Sequence, residues 1–340
     1  MTAVEGVSEL RLDWNESPIG PPQAAIGRMR AAAAELHRYP RGLLESVTAK
    51  VAGRHGVDPE SVLLTTGVDE AVDLVLTLVD SAWFVTPGFD GYQARAEVLR
   101  RGSESIPLDA DWQPIGLPHE YEMGPEDAVF VAQPNNPTGN IFRPEWVSRI
   151  ADTAGIVFLD ATYQDFVADG TRVDALGAHP RVVRFYSFSK AYGLAGIRVG
   201  VLIGAPLLIA TLRAHSRFHG VDSITLAAVD GVLDDDAYRI RIRDLVLAQR
   251  PRYVAALSQV PVFAEVRDTE ANFVLARCGA GVEAATLIRQ LAVLGVWIKD
   301  CAQFGLPGWV RITVGTAGDL TRLVSALAVC DDLVVAGGEY

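Results

Sequence analysis

The sequence predicts an α/β protein, with a large domain on a mostly parallel central sheet and a smaller α+β domain at its C-terminal side. Three observations lead there. Short apolar runs alternate with stretches of helical spacing, the pattern of a sheet covered on both faces. Four of those runs are followed at once by polar or Gly/Pro-rich residues, as loops at the carboxyl ends of parallel strands are. The length, 340 residues, exceeds what one hydrophobic core usually serves. We expect an N-terminal arm over 1–30, the large domain over 31–222 and the small one over 223–340.

In chain order, Leu12 to Pro22 is rich in Pro, Asn and Gly and reads as an extended arm. Gln23–Glu35 and Leu43–His55 have helical spacing, the second stopped by Gly56. Ser61–Thr66 reads as a short strand, and Gly67 turns the chain into a helix from Val68 whose first turn is acidic. The apolar runs at 82–85, 128–131, 156–159, 182–186 and 199–203 are strands of the large sheet. The first four lead into Pro87-Gly88-Phe89, Pro134–Gly139, Asp160-Ala161-Thr162-Tyr163 and Ser187–Lys190, so these loops should converge on one site. The segment 224–257 is largely helical. Strands follow near 272–275, 296–298 and 310–313, then a helix over 320–329.

An apolar share of 49% with 21% charged residues excludes a disordered chain. A net charge of −12 without a basic block argues against nucleic acid or an anionic membrane as partner. Cys278, Cys301 and Cys330 are odd in number and lack zinc-site spacing, so neither a disulfide framework nor a structural metal is expected. His179, His215 and His219 likewise show no metal-ligand spacing. With no leader pattern over Met1–Gly6 and no apolar run of about 18 residues, the chain is expected in a reducing cytoplasm.

The chemistry centres on Ser187–Gly200, where Lys190 stands behind two hydroxyls and ahead of the glycine-flanked Arg198. A lysine amine condenses with the aldehyde of pyridoxal 5'-phosphate, while hydroxyls and a guanidinium bind its phosphate. Ser187, Ser189 and Arg198 are the phosphate candidates. Once displaced by a substrate amine, Lys190 becomes a base for proton transfer. Protonating the pyridine nitrogen needs a carboxylate beside it, and Asp160 at a strand end is the candidate. Tyr163, three residues on, is the candidate for the ring's phenolic oxygen.

These motifs, with Pro134-Asn135-Asn136-Pro137-Thr138-Gly139 upstream and Val310-Arg311-Ile312-Thr313-Val314-Gly315 downstream, resemble the fold-type I class I/II aminotransferases, and among them the histidinol-phosphate aminotransferase branch. The resemblance runs from about Leu12 to about Leu327. It implies a pyridoxal-phosphate-dependent homodimer acting on amino acids and oxo acids. By position it assigns cofactor phosphate to Gly67 and the amides of Val68 and Asp69, and ring stacking to Phe89. By resemblance to the family motif, the Asn136 amide would join Tyr163 at the ring's phenolic oxygen. Tyr39, in Arg38-Tyr39-Pro40, should reach the neighbouring subunit's phosphate. Arg311 should grip the substrate's carboxylate or phosphate, with Asn15 and Lys299 nearby.

Three departures from the branch stand out. About eleven residues precede the Asn-Glu arm, where relatives usually carry a further segment. Ile298-Lys299-Asp300 replaces a common Ile/Leu-Arg-Asp, and Ala161 replaces a common glutamate. The first two point to a non-phosphorylated amino acid as substrate, and the third bears on fine tuning of the cofactor. Decarboxylation, oxidation or cyclisation on the same cofactor is the alternative. A non-catalytic regulatory protein on the same fold is another.

Overall fold

Two sheets carry the chain, and a short strand pair ties its N-terminal segment to the region of the second. The computed structural model describes residues 9–168 and 179–336, with side chains to residue 330. The N-terminal leader reading over Met1–Gly6 lies outside them. The strands are β1 (Leu10–Arg11), β2 (Val62–Thr65), β3 (Ser81–Thr86), β4 (Gly102–Pro107), β5 (Asp127–Ala132), β6 (Ile156–Asp160), β7 (Val182–Ser187), β8 (Gly200–Gly204), β9 (Phe263–Arg267), β10 (Phe273–Cys278), β11 (Val296–Trp297), β12 (Lys299–Asp300) and β13 (Trp309–Thr313). The helices are α1 (Gln23–Ala33), α2 (Leu43–His55), α3 (Val68–Leu76), α4 (Asp90–Val98), α5 (Pro144–Thr153), α6 (Pro206–His215), α7 (Ser223–Leu233), α8 (Asp236–Leu257), α9 (Ala284–Val293) and α10 (Ala317–Ala336).

The large sheet has seven strands in the order β2-β8-β7-β6-β5-β3-β4. β7, β6, β5, β3 and β4 run parallel, and β8 is antiparallel to both of its neighbours. The central strands read as continuous apolar runs because both faces are covered. Phe130, Phe158 and Phe185 point into one layer with α3, α4 and α6. Val129, Val131, Val157 and Leu159, one residue out of phase, pack under α5. β4 lacks an apolar run, since it is an edge strand in which Ile106 alone is deeply buried, and the sequence pattern passed over it.

β8 is antiparallel for a reason that bears on function. The chain leaves β7 at Ser187 and returns at Gly200, directly opposite, without a crossover helix. Residues 188–199 are therefore an excursion held at both ends by the sheet, and they carry Lys190 and Arg198.

The second sheet is antiparallel, in the order β12-β13-β10-β9. β13 is buried throughout and pairs with β10 on one side and β12 on the other, which puts Arg311 at its centre. The strand expected near 296–298 forms over Val296–Trp297 but stands apart from this sheet, pairing in parallel with Leu10 and Arg11. The arm is pinned there because Leu12 N–H donates to the Trp297 carbonyl at 2.9 Å while the Leu12 carbonyl accepts from Thr313 N–H at 2.8 Å. The helical stretch after 223 is divided into α7 and α8, and α7 packs along α1. Among the described residues, no helix is long and apolar enough to cross a membrane.

Candidate active site

The loops at the carboxyl ends of β3, β5, β6 and β7 converge, as α/β topology requires. Together with the arm, the start of α3 and the β12–β13 region they line a cavity of about 670 Å³. Phe89, Asn136, Asp160, Tyr163, Ser187, Ser189 and Lys190 come from the four loops; Val68, Asp69, Arg198, Lys299 and Arg311 join them. Gly139 is required in the Pro-Thr-Gly turn: its φ is +71°, and a Cβ would lie 2.2 Å from Thr269. Thus the loop carrying Asn136 sits against the segment that enters β10.

Asp160 is 7% exposed and ends β6. Burial pushes its carboxyl up, opposed by hydrogen bonds from Thr162 and Tyr92 and by the charge of Lys190. The Tyr92 hydroxyl donates to Oδ2 at 2.6 Å and the Thr162 N–H to Oδ1 at 2.9 Å. Lys190 is pushed down to about 7, by burial first and then by Arg311 and Arg198, with Glu16 and Asp160 opposing. Its Nζ donates to the Trp14 carbonyl at 2.8 Å. An amine in this condition is half neutral near pH 7, as a nucleophile or base must be.

Arg198 adopts φ of 57°, and its guanidinium reaches Asp69 Oδ2 at 3.1 Å. A Cβ on Gly67 would stand 3.1 Å from that guanidinium, so the glycine leaves room for it. No described side chain caps α3, whose first turn leaves free amides facing the same region. Ser187 Oγ accepts from Ser189 N–H at 3.1 Å. Hydroxyls, a guanidinium and helix amides here, with a depressed lysine and a buried carboxylate elsewhere on the wall, fit pyridoxal 5'-phosphate.

Arg311 is 5% exposed. It donates to Asn136 Oδ1 and, at 2.8 Å, to the Asp13 carbonyl, and its Nε is buried without a partner among the described residues. Phe273 and Phe304 lie against the guanidinium. Lys299 Nζ donates to Gln303 Oε1 at 3.0 Å, and Gln303 donates to Asp90 Oδ2 at 2.9 Å.

Three candidate residues do not line this cavity. Asn15, expected at the substrate, does not line the cavity: its side chain donates to the Tyr163 hydroxyl at 2.9 Å and accepts from Thr313. Gly67 stands behind Arg198 rather than on the wall. Tyr39 lies away from the cavity, 71% exposed and stacked on His219. Sequence reasoning had also passed over Tyr92, Trp14, Glu16, Asp90, Gln303 and Phe304 as lining residues. Tyr92 had a signal, lying three residues after Phe89 on one helical face. Gln303 and Phe304, in a short turn after β12, had none.

A model of the aminotransferase class I and II family matches residues 7–327. The chain belongs to this family. Histidinol-phosphate aminotransferase 1 of Thiobacillus denitrificans is 31% identical over 343 residues, covering 97% of this chain and 87% of the relative. A putative aminotransferase structure from Burkholderia pseudomallei superposes with a TM-score of 0.86 at 32% identity, covering 95% of this chain and 98% of the other. The histidinol-phosphate aminotransferase of Sinorhizobium meliloti, solved with pyridoxal 5'-phosphate, shares the fold with a TM-score of 0.82 at 21% identity, covering 94% and 89%. This class I/II aminotransferase thus has its family's fold, a mixed seven-stranded sheet beside a smaller antiparallel one.

Proposed function

We propose that this aminotransferase binds pyridoxal 5'-phosphate in the cavity and moves an amino group between a non-phosphorylated amino acid and a 2-oxo acid. When bound, the cofactor supplies a sink for the electrons of the substrate's α-C–H bond. Lys190 anchors it and, once free, accepts the α-proton at Nζ. Asp160 holds a proton at the pyridine nitrogen, since a cation beside its carboxylate offsets the cost of burial. Tyr163 and Asn136 address the phenolic oxygen, and Phe89 the ring face. Arg198, Ser187, Ser189 and the amides of Val68 and Asp69, with Gly67 leaving the space, hold the phosphate.

The observation that carries the substrate reading is the state of Arg311. It is buried, and its two partners, the Asn136 amide oxygen and the Asp13 carbonyl, are neutral acceptors. A guanidinium desolvated in this way is completed by a carboxylate. A phosphate dianion needs more cation than that. Of the other cations on the wall, Lys190 and Arg198 are given to the cofactor, and Lys299 is a point charge in a chain that ends on Asp90; Asp13 and Glu16 also line the cavity.

The test mixes purified holoenzyme with single amino acids and with histidinol phosphate and follows cofactor absorbance and carbon dioxide. Conversion to the pyridoxamine form with an amino acid supports the reading. Carbon dioxide release replaces transamination with decarboxylation, and turnover of histidinol phosphate equal to the best amino acid overturns the substrate assignment.

The reading includes a two-fold homodimer in which Tyr39 serves the neighbour's phosphate, which suits a tyrosine exposed away from its own cavity. Mixing inactive Lys190→Ala and Tyr39→Ala chains should restore activity, because each hybrid holds one intact site; no restoration argues against shared sites. The arm over 1–30, the cofactor-binding part over 31–222 and the part over 223–340 are the divisions of this reading, with α1 running across the first boundary. A reducing cytoplasm suits the buried thiols of Cys278, Cys301 and Cys330.

A further inference from the structure

Three consecutive arm residues each engage a different functional side chain. The Asp13 carbonyl accepts from Arg311 at 2.8 Å, the Trp14 carbonyl accepts from Lys190 Nζ at 2.8 Å, and the Asn15 side chain donates to the Tyr163 hydroxyl at 2.9 Å. The first two contacts are made by the backbone, so any side chain could stand there. The third depends on Asn15 itself.

We propose that Asn15 is a positioning residue for Tyr163, whose hydrogen bond makes the phenol a stronger donor to the bound cofactor and so couples arm docking to the cofactor's protonation state. The proposal rests on the reading of the cavity as a pyridoxal-phosphate site.

The orientation of the Asn15 amide follows from its neighbours. Thr313 Oγ1 accepts from the Asn15 backbone N–H at 3.0 Å, so its single hydroxyl proton is free to be donated to Asn15 Oδ1 at 3.2 Å. That fixes the oxygen toward Thr313 and the NH2 toward Tyr163. The Asn15 carbonyl is held by Asn272 Nδ2 at 3.1 Å, and the residue is 1% exposed. Its φ of 53° lies in the left-handed region, where Asn, Asp and Gly are the residues best tolerated. The amide therefore reaches Tyr163 from a strand-held, rigid support.

Tyr163 then has its oxygen engaged as an acceptor, and among the described residues nothing takes its proton, which is left to donate. Hydrogen bonds in such a chain strengthen one another at low dielectric. A stronger donor to the cofactor's phenolic oxygen stabilises the anionic oxygen and lowers the pH at which the bound cofactor gains a proton. Charged and titratable groups facing the phenol are Arg311 from β13, Asp160 from β6 and Tyr92 from α4. Burial raises the Tyr163 phenol, while Arg311 and Asn15 hold it down.

The test compares wild-type, Asn15→Asp and Asn15→Gly holoproteins by the pH midpoint of the change between the cofactor's visible absorption bands. Both replacements tolerate the left-handed backbone, and both leave Arg311, Asp160 and Tyr92 in place. Removing one buried donor should move the midpoint up by about half to one pH unit. Asn15→Asp should move it further than Asn15→Gly, because a carboxylate adds a negative charge. An unmoved or lowered midpoint in both variants overturns the proposal, including where KM for the amino acid rises, since a purely structural arm would change KM alone. A wild type without a visible cofactor band after reconstitution would instead remove the cofactor reading, and this proposal with it.

Discussion

Arg198 and Arg311 line the same cavity and carry the same guanidinium, yet the fold treats them in opposite ways. The Arg198 side chain is 51% exposed and already paired with a carboxylate, that of Asp69, itself 63% exposed. Arg311 is buried against neutral acceptors and two aromatic rings. Water screens Arg198, so its pair with Asp69 is weak and can be exchanged for a phosphate at little cost. Nothing screens Arg311, and burial pulls its pKa below the usual arginine value. On the proposed function, Arg198 takes part in a shared phosphate site, and Arg311 awaits a counter-charge that a substrate would bring.

Four experiments test that contrast. The largest effect belongs to Lys190, which both arginines push toward the neutral amine. Lys190→Ala should lower turnover by about 10³-fold or more and abolish borohydride-reducible attachment of the cofactor, read by mass spectrometry. Retained attachment would move the anchor to another lysine.

Next comes Arg311→Lys, expected to cost about 2 to 4 kcal/mol in kcat/KM for the amino acid substrate, with cofactor affinity nearly unchanged. Arg198→Lys should show the reverse: about 1 to 2 kcal/mol lost in cofactor binding, measured by titrating the apoprotein, and a smaller loss in kcat/KM at saturating cofactor. If both variants lost cofactor and substrate affinity alike, the division of labour between the arginines would be wrong.

The smallest effect is a pH midpoint. Below about 7 the Lys190 amine is protonated and unreactive, and above it the amine is neutral. Acylation of Lys190 in the apoprotein, followed by peptide mapping, should therefore rise through a midpoint near 7, and Arg311→Met should move that midpoint upward by removing a neighbouring positive charge. A midpoint near that of a solvent-exposed lysine would show that burial and the arginines do not act on it.

Much of the site was legible along the chain because its parts are local. Pro134–Gly139, Asp160–Tyr163 and Ser187–Arg198 each follow a strand directly, so apolar run and functional loop appear as one pattern. Edge strand β4 escaped because solvent replaces the apolar run there. Asn15 is legible as part of a functional segment, but its partners are not, because Tyr163, Asn272 and Thr313 come from distant parts of the chain.

The amino-acid order carried the alternation of strands and helices, the converging loops and the selection of Lys190, Asp160, Tyr163, Asn136, Arg198 and Arg311, which line one cavity. These follow from hydrophobic period, from chemistry that only certain side chains can do and, for Asn136 and Arg311, from the family resemblance. Tertiary structure alone decided that β8 runs antiparallel, that Val296–Trp297 pairs with the arm, and that Arg311 is desolvated while Arg198 is not. Burial and hydrogen-bond partners arise between segments far apart in the chain, and the dielectric around a charge is a property of what packs against it, not of its neighbours in sequence.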